Sequence, residues 1–173
     1  VAQLDQFRTI PENELREIES LFQNQSINSL SNPEHDDLLY QWRWLKNTID
    51  LRAGDLGRAE QELIEWMQEV DERDALDTDR SNAKRDTSLR NIYIGKLLRN
   101  LALIQAASNR SLEAQKSTES ARKAWLCAKQ ASGHTAALAG FCLIQSWVEH
   151  PTSDQDGMQA YELAKELVRE HPA

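Results

Sequence analysis

Few residues of this chain stand together in a pattern that could carry chemistry. His35-Asp36-Asp37 contains the His-Asp pair that metal phosphohydrolases use. The other histidines, His134, His150 and His171, are scattered along the chain without the spacing of metal ligands. We therefore interpret the cluster as the acidic start of a helix, where carboxylates complement the helix dipole.

A second acidic segment, Asp77-Thr78-Asp79-Arg80-Ser81, begins like a calcium-binding loop. Asn82 stands where such a loop needs its turn glycine, and Ser88 stands where a bidentate glutamate belongs. The segment is therefore predicted to be a solvated acidic run, and no metal site is predicted anywhere in the chain.

Catalytic motifs are missing as well. The sequence has no glycine-rich phosphate loop, no G-x-S-x-G elbow and no H-E-x-x-H zinc motif. Cys127 and Cys142 each sit inside an apolar helical pattern, which predicts two buried thiols rather than a disulfide. We expect no catalytic residue and no cofactor, and an enzyme of an unrecognised helical family is the least favoured hypothesis.

The composition narrows the class of protein and its partners. The chain has 173 residues, of which 40% are hydrophobic and 28% charged, so one folded domain or a short run of repeats is expected. A net charge of −8 disfavours nucleic acid as a partner. No stretch approaches the ~18 consecutive apolar residues of a membrane span. A cytoplasmic location is favoured, a homo-oligomer is left open, and a start at Val1 suggests a region of a longer protein.

Apolar residues recur at helical spacing in seven segments, which predicts seven α-helices and no sheet. Their predicted core stripes, in chain order, are Leu15, Ile18, Leu21 and Phe22; Leu38, Trp42, Leu45 and Ile49; Leu56, Ala59, Leu63, Trp66 or Met67, and Val70; Leu89, Ile92, Tyr93, Leu97, Leu101 and Ile104; Ala114, Thr118, Ala121, Trp125 and Ala128; Leu138, Phe141, Ile144 and Val148; and Ala160, Tyr161, Ala164, Leu167 and Val168.

The segments between the helices carry turn residues, as at Ala53-Gly54-Asp55, Ser108-Asn109, Ser132-Gly133 and from Pro151 to Asp156. Short turns make neighbouring helices antiparallel. Residues 71–88 are almost wholly polar, and they form either a loop or two solvated helix ends. The second alternative is favoured because glycine and proline are absent.

The second predicted helix carries a further apolar stripe. Trp44 lies with Tyr40 and Leu51, nearly opposite the stripe that contains Trp42, because residues two positions apart point about 200° apart. A helix that is apolar on two sides has neighbours on two sides. Both the inner helix of a solenoid and the central helix of a bundle meet this condition.

Three segments resemble a degenerate tetratricopeptide-repeat array, in which each repeat is a helix pair with a small residue early in its second helix. The first is Ala53-Gly54-Asp55-Leu56-Gly57-Arg58-Ala59, followed by Leu63 and Trp66. The second runs from Leu98 through Ser108-Asn109 to Ala121, and the third from Ala160 to Pro172. The resemblance implies an α-solenoid with an N-terminal helical segment (1–33), repeats at 34–73, 89–131 and 132–173, and a charged connector at 74–88.

The resemblance also implies a concave groove, lined by the first helix of each repeat, that binds a peptide or a partner helix. In repeats that hold a C-terminal carboxylate, a basic residue and an asparagine lie four apart, and Arg43 with Asn47, followed by Asn100, is similar to that arrangement. The full set of predicted partner-binding residues is Arg43, Trp44, Asn47, Asp50, Arg99, Asn100 and Leu103.

The leading hypothesis is therefore a non-catalytic protein-protein interaction module. Loss of binding on substitution of Arg43 and Asn47 would locate its binding site. The alternative is a ligand-sensing regulatory domain of a signalling or transcription-regulator protein. For Trp44, exposure as an anchor and burial against the preceding helix both remain open.

Overall fold

The computed structural model describes residues 33–78 and 88–170, together with five separate positions between 13 and 21. All regular structure in these ranges is helical. The six helices that they contain are α1 Pro33–Ala53, α2 Leu56–Thr78, α3 Ser88–Ala107, α4 Ser111–Lys129, α5 Gly133–Glu149 and α6 Asp156–Glu170. The predicted all-α class is confirmed, and these helices correspond to the second to seventh predicted segments. The first predicted helix lies outside the described residues, apart from the five positions, which are helical.

The chain forms two compact units, Val1–Arg85 and Asp86–Ala173. The described part of the first unit is the α1–α2 hairpin together with the five positions between 13 and 21. In the second unit each helix packs on the next, and α3 also packs on α5. Helix α2 continues to Thr78 and α3 begins at Ser88, so the first part of the polar stretch is a helix end. Within the described ranges, none of the helices combines the length and the apolar character needed to cross a membrane.

Residues in the left-handed region mark the predicted turns. Gly54 has φ 84° and lies between α1 and α2, where the amide of Asp55 donates to the carbonyl of Asp50. Asn109 has φ 60° in the α3–α4 turn, and the amide of Arg110 donates to the carbonyl of Gln105. Glycine and asparagine tolerate this conformation, which is why they could be read as helix ends from the sequence.

The packing of the α1–α2 hairpin corrects one predicted stripe. On α2 the predicted residues Ala59, Leu63, Trp66 and Val70 are buried, whereas Leu56 at the start of the helix is exposed and Met67 is half-buried. On α1, by contrast, Leu38 and Leu45 are exposed. The residues that α1 buries are Leu39, Tyr40, Arg43, Lys46 and Asn47.

Buried charge explains this correction. Arg43 Nη2 lies 2.6 Å from Glu69 Oε2, and Lys46 pairs with both Asp50 and Glu62. The guanidinium of Arg43 also lies 5.2 Å from the centroid of the Trp66 ring. Once paired and stacked in this way, cationic side chains can occupy a helix interface that apolar periodicity assigns to solvent.

The second unit has an apolar core, and here too some predicted stripes are corrected. Trp125, Leu143 and Leu163 are central to it. Phe141 and Val148 on α5, and Tyr161 and Val168 on α6, were predicted in core stripes but are at least 60% exposed. Cys142 is buried as predicted, whereas Cys127 is exposed, and both are free thiols. These helices are apolar over more of their circumference than their neighbours cover.

The α3–α4 contact is unusually close at Gly95. The indole N–H of Trp125 donates to the carbonyl of Ile92 at 3.1 Å, which draws the ring across the backbone of α3. A Cβ atom at position 95 would collide with the Nε1, Cε2 and Cδ1 atoms of that ring. Glycine at this position therefore sets the distance between α3 and α4.

We predict that Gly95→Ala destabilises the second unit by about 2 to 3 kcal/mol, because the indole must move and lose its hydrogen bond. Gly157→Ala is the matched control, since a Cβ there meets nothing within 4 Å. Urea unfolding followed by Trp fluorescence measures both variants. Equal stability of the two variants would contradict the proposed close contact.

Candidate binding groove

The predicted binding residues of the first unit lie at the α1–α2 interface. Arg43 is 4% exposed and Asn47 is fully buried, where Asn47 Nδ2 donates to the carbonyl of Ala59 at 2.9 Å. Asp50 is half-buried beside Lys46. Trp44 is half-buried. The carboxylate-clamp arrangement is therefore corrected, because Arg43 and Asn47 join two helices instead of facing an open groove.

The predicted residues of the second unit divide into two groups. Asn100 is buried. Arg99 and Leu103 line a common groove of about 380 Å³, which we call the α3–α5 groove. Helices α3, α4 and α5 and the turn after α5 form it, and its lining is Arg99, Ala102, Leu103, Ala106, Ala114, Gln115, Thr118, Ala121, Trp125, Ser146, His150, Pro151 and Thr152.

Small side chains form the floor of the groove. Ala114, Thr118 and Ala121 follow one another at spacings of four and three residues on α4, so they share one face of that helix. Ala102 and Ala106 face them from α3. Small residues on two adjacent helices leave space above the backbone that larger side chains would fill, and this space is the groove.

One wall of the groove carries an ion pair between helices α3 and α5. Arg99 Nη2 lies 2.5 Å from Glu149 Oε2, with both side chains partly exposed. A hydrogen bond from Gln145 is the largest influence lowering the pKa of Glu149, and Arg99 lowers it further. The Nε of Arg99 is buried and has no hydrogen-bond partner among the described residues. The ion pair therefore joins α3 to α5 at this wall.

The other end of the groove is fixed by Arg122, a buried residue of α4. Its guanidinium donates to Ser146 Oγ at 3.0 Å, to the carbonyl of His150 at 2.7 Å and to Thr152 Oγ1 at 2.7 Å. It also donates to Asp156 Oδ2 at 3.1 Å. One side chain of α4 thus holds the end of α5, the following turn and the start of α6.

Asp156 completes this network as the first residue of α6. Its carboxylate accepts hydrogen bonds from the Thr152 amide at 2.7 Å and from Ser153 Oγ at 2.6 Å. Burial is the largest single influence and opposes ionisation. The donors at Ser153 and Thr152, together with Arg122, outweigh burial and lower the pKa of Asp156 to about 2. The carboxylate is therefore ionised at neutral pH and neutralises Arg122.

Sequence reasoning missed most of this site. The Thr152-Ser153 pair before Asp156 carried a signal, because side-chain oxygens at a helix start are typical caps. Nothing in the sequence indicated that Arg122 is buried, since an arginine between Ala121 and Trp125 is typical of the solvated face of a helix.

Metal-binding and family comparisons add no assignment. Among the described side chains, no group of three or more His, Cys, Asp or Glu residues is placed to hold a metal ion. The side chains of His35 and Asp36, and those of most of the Asp77–Ser88 segment, lie outside the described side chains. No protein-family model, curated protein or solved structure matches the chain.

We predict that Asp156→Asn destabilises the second unit by about 3 kcal/mol, because it leaves the buried Arg122 without a counter-charge. Since the folded pKa of Asp156 is depressed from 3.8 to about 2, its contribution is complete above pH 3.8 and is lost as the pH falls toward 2. Urea unfolding at neutral and acidic pH measures both effects.

Asp154→Asn is the control on the same turn, because Asp154 is exposed. It should leave the neutral-pH stability within about 0.5 kcal/mol of the parent chain. If Asp156→Asn unfolds at the parent midpoint at pH 7, Arg122 does not depend on this carboxylate.

Proposed function

We propose that this chain is a non-catalytic interaction module in which the α3–α5 groove holds a peptide or a partner helix. The observation that carries the proposal is the floor of small residues between walls from two helices. Such a floor lets a guest backbone come close, and the walls supply Leu103 for apolar contact and Arg99 for polar contact.

The packing order supports an open, solenoid-like stack of the tetratricopeptide-repeat kind. Helix α3 packs on α4 and on α5, and α5 packs on α4 and α6. In the described part of this unit, α3 makes no packing contact with α6. A closed four-helix bundle would join its first and last helices, whereas stacked hairpins leave the first helices side by side.

The side chains of the groove favour binding over catalysis. Of its lining residues, Arg99 and His150 carry the titratable side chains. Ser146 Oγ accepts a hydrogen bond from Arg122, and a fixed cation cannot act as a general base toward a serine. The groove therefore offers shape and hydrogen bonds but no activated nucleophile.

The first test blocks the groove without disturbing the core. Ala106 is exposed and lines the groove, so arginine at this position fills it from the side of α3. A peptide selected from a random display library on the whole chain serves as the probe, and fluorescence polarisation measures its affinity. We predict that Ala106→Arg weakens binding at least tenfold.

Ala107→Arg is the matched control, because Ala107 is exposed on the same helix and does not line the groove. It should bind the selected peptide as the parent chain does. Equal loss in both variants would mean that the peptide binds elsewhere. Failure of the library to yield any binder whose affinity falls on Ala106→Arg would overturn the proposal.

A ligand-sensing regulatory role is the alternative, favoured by the volume of the groove. About 380 Å³ lies within the range of small-molecule sites, roughly 300 to 1,000 Å³. A metabolite that raises the melting temperature of the parent chain, but not of Ala106→Arg, would favour this role over peptide binding.

A further inference from the structure

Helix α6 has a second apolar face that its own unit does not cover. Ala160 and Leu163 are buried against the core, whereas Met158, Tyr161 and Val168 are 65%, 60% and 72% exposed. At 100° per residue these three side chains fall within an arc of about 80°, whose centre lies about 150° from that of Ala160 and Leu163. Lys165 lies in the same row, with Nζ 5.0 Å from the centroid of the Tyr161 ring.

The spacing of this row is that of a coiled-coil seam. Met158, Tyr161, Lys165 and Val168 follow one another at intervals of three, four and three residues, which are the a, d, a and d positions of a heptad pattern. Facing helices in such a pair bury these positions against each other. The four residues are called the α6 seam below.

The α6 seam is complementary to itself when a second copy runs in the opposite direction. A two-fold axis at the level of residue 163 places Met158 against the partner's Val168, and it places Tyr161 against the partner's Lys165. Both pairs share this one axis, so a single register satisfies the whole seam. The second pairing repeats between two chains the cation–π contact that Lys165 already makes with Tyr161.

We propose that α6 pairs antiparallel with α6 of a second copy of this chain, in the register that joins Met158 to Val168 and Tyr161 to Lys165. This inference is independent of the proposed role of the α3–α5 groove, because the two surfaces share no residue. Glu162 flanks the seam, and its Oε1 lies 3.1 Å from Nζ of Lys165 in the same chain. This ion pair offsets the repulsion between the two copies of Glu162.

The size of the seam makes the pairing weak. Helix α6 has 15 residues and is therefore about 22 Å long. A contact of that length buries less than the roughly 800 Å² per partner of a standard interface. Lys165 at a core position lowers the stability further. The dimer is therefore expected at tens to hundreds of micromolar chain.

Disulfide trapping tests the register directly. Cys127 and Cys142 are first replaced by serine and alanine, and then Met158→Cys and Val168→Cys are introduced together. The two new cysteines lie about 15 Å apart along one helix, too far for a disulfide within a chain. We predict that oxidation of the double variant at about 100 µM gives covalent dimers at least tenfold faster than either single variant.

The single variants distinguish the alternatives. A parallel pairing would cross-link each single variant efficiently, since like positions then face each other. Equal slow rates in all three variants would mean that the seam does not pair, and either result would overturn the proposal.

Sedimentation velocity on the uncross-linked chain gives a second, independent test. Lys165→Met places an apolar side chain at a core position and should tighten the dimer at least tenfold, whereas Tyr161→Glu should leave only monomer at 500 µM. Both substitutions are on an exposed face, so circular dichroism should show unchanged helix content. A parent chain that is monomeric at 500 µM, with Lys165→Met equally monomeric, would refute the pairing.

Discussion

The second unit depends on one buried guanidinium. Arg122 leaves α4 among apolar neighbours and is satisfied by groups from α5, from the α5–α6 turn and from the start of α6. Such a group would be costly to bury alone, and it is tolerated because Asp156 supplies a full counter-charge and the carbonyls take the remaining donors. Because Ser146, His150 and Thr152 also line the α3–α5 groove, the same network fixes the end of the groove.

The two units solve the packing of a helix hairpin in different ways. In the first unit α1 buries Arg43, Lys46 and Asn47 beside the apolar Leu39 and Tyr40, whereas Leu38 and Leu45 are exposed. In the second unit α3 meets α4 through Gly95 and the ring of Trp125. Buried charged and amide side chains need specific partners for their ion pairs and hydrogen bonds. The contact at Gly95 needs only a shape that fits the indole ring. The consequence is that a charge change would damage the first hairpin and a volume change would damage the second.

The sequence predicted the elements well because each has a local cause. Gly54 and Asn109 end helices because their own backbones tolerate a positive φ. The residues Ala59, Leu63, Trp66 and Val70 are buried on one face because of their helical spacing. Arg99 and Leu103, which were predicted from the sequence to line a groove, are one turn apart on α3 and line the α3–α5 groove. Prediction failed for Arg43, Asn47 and Arg122, whose burial depends on partners 12 to 34 residues away. The predicted burial of Phe141, Tyr161 and Val168 was wrong for the opposite reason. An apolar stripe does not show whether the surface that covers it belongs to the same chain.

The second unit therefore has two exposed surfaces with apolar residues, and each surface suits a different kind of partner. The α3–α5 groove is concave and mixed in polarity, which suits a guest of different sequence. The α6 seam is convex and is complementary to the same seam running antiparallel, which suits a second copy. A dimer paired through the seam would carry two grooves, and the pairing itself would use no residue that lines them. A partner with two binding segments would then engage both grooves at a high effective concentration, so that weak contacts in each groove, and a weak seam, would reinforce one another.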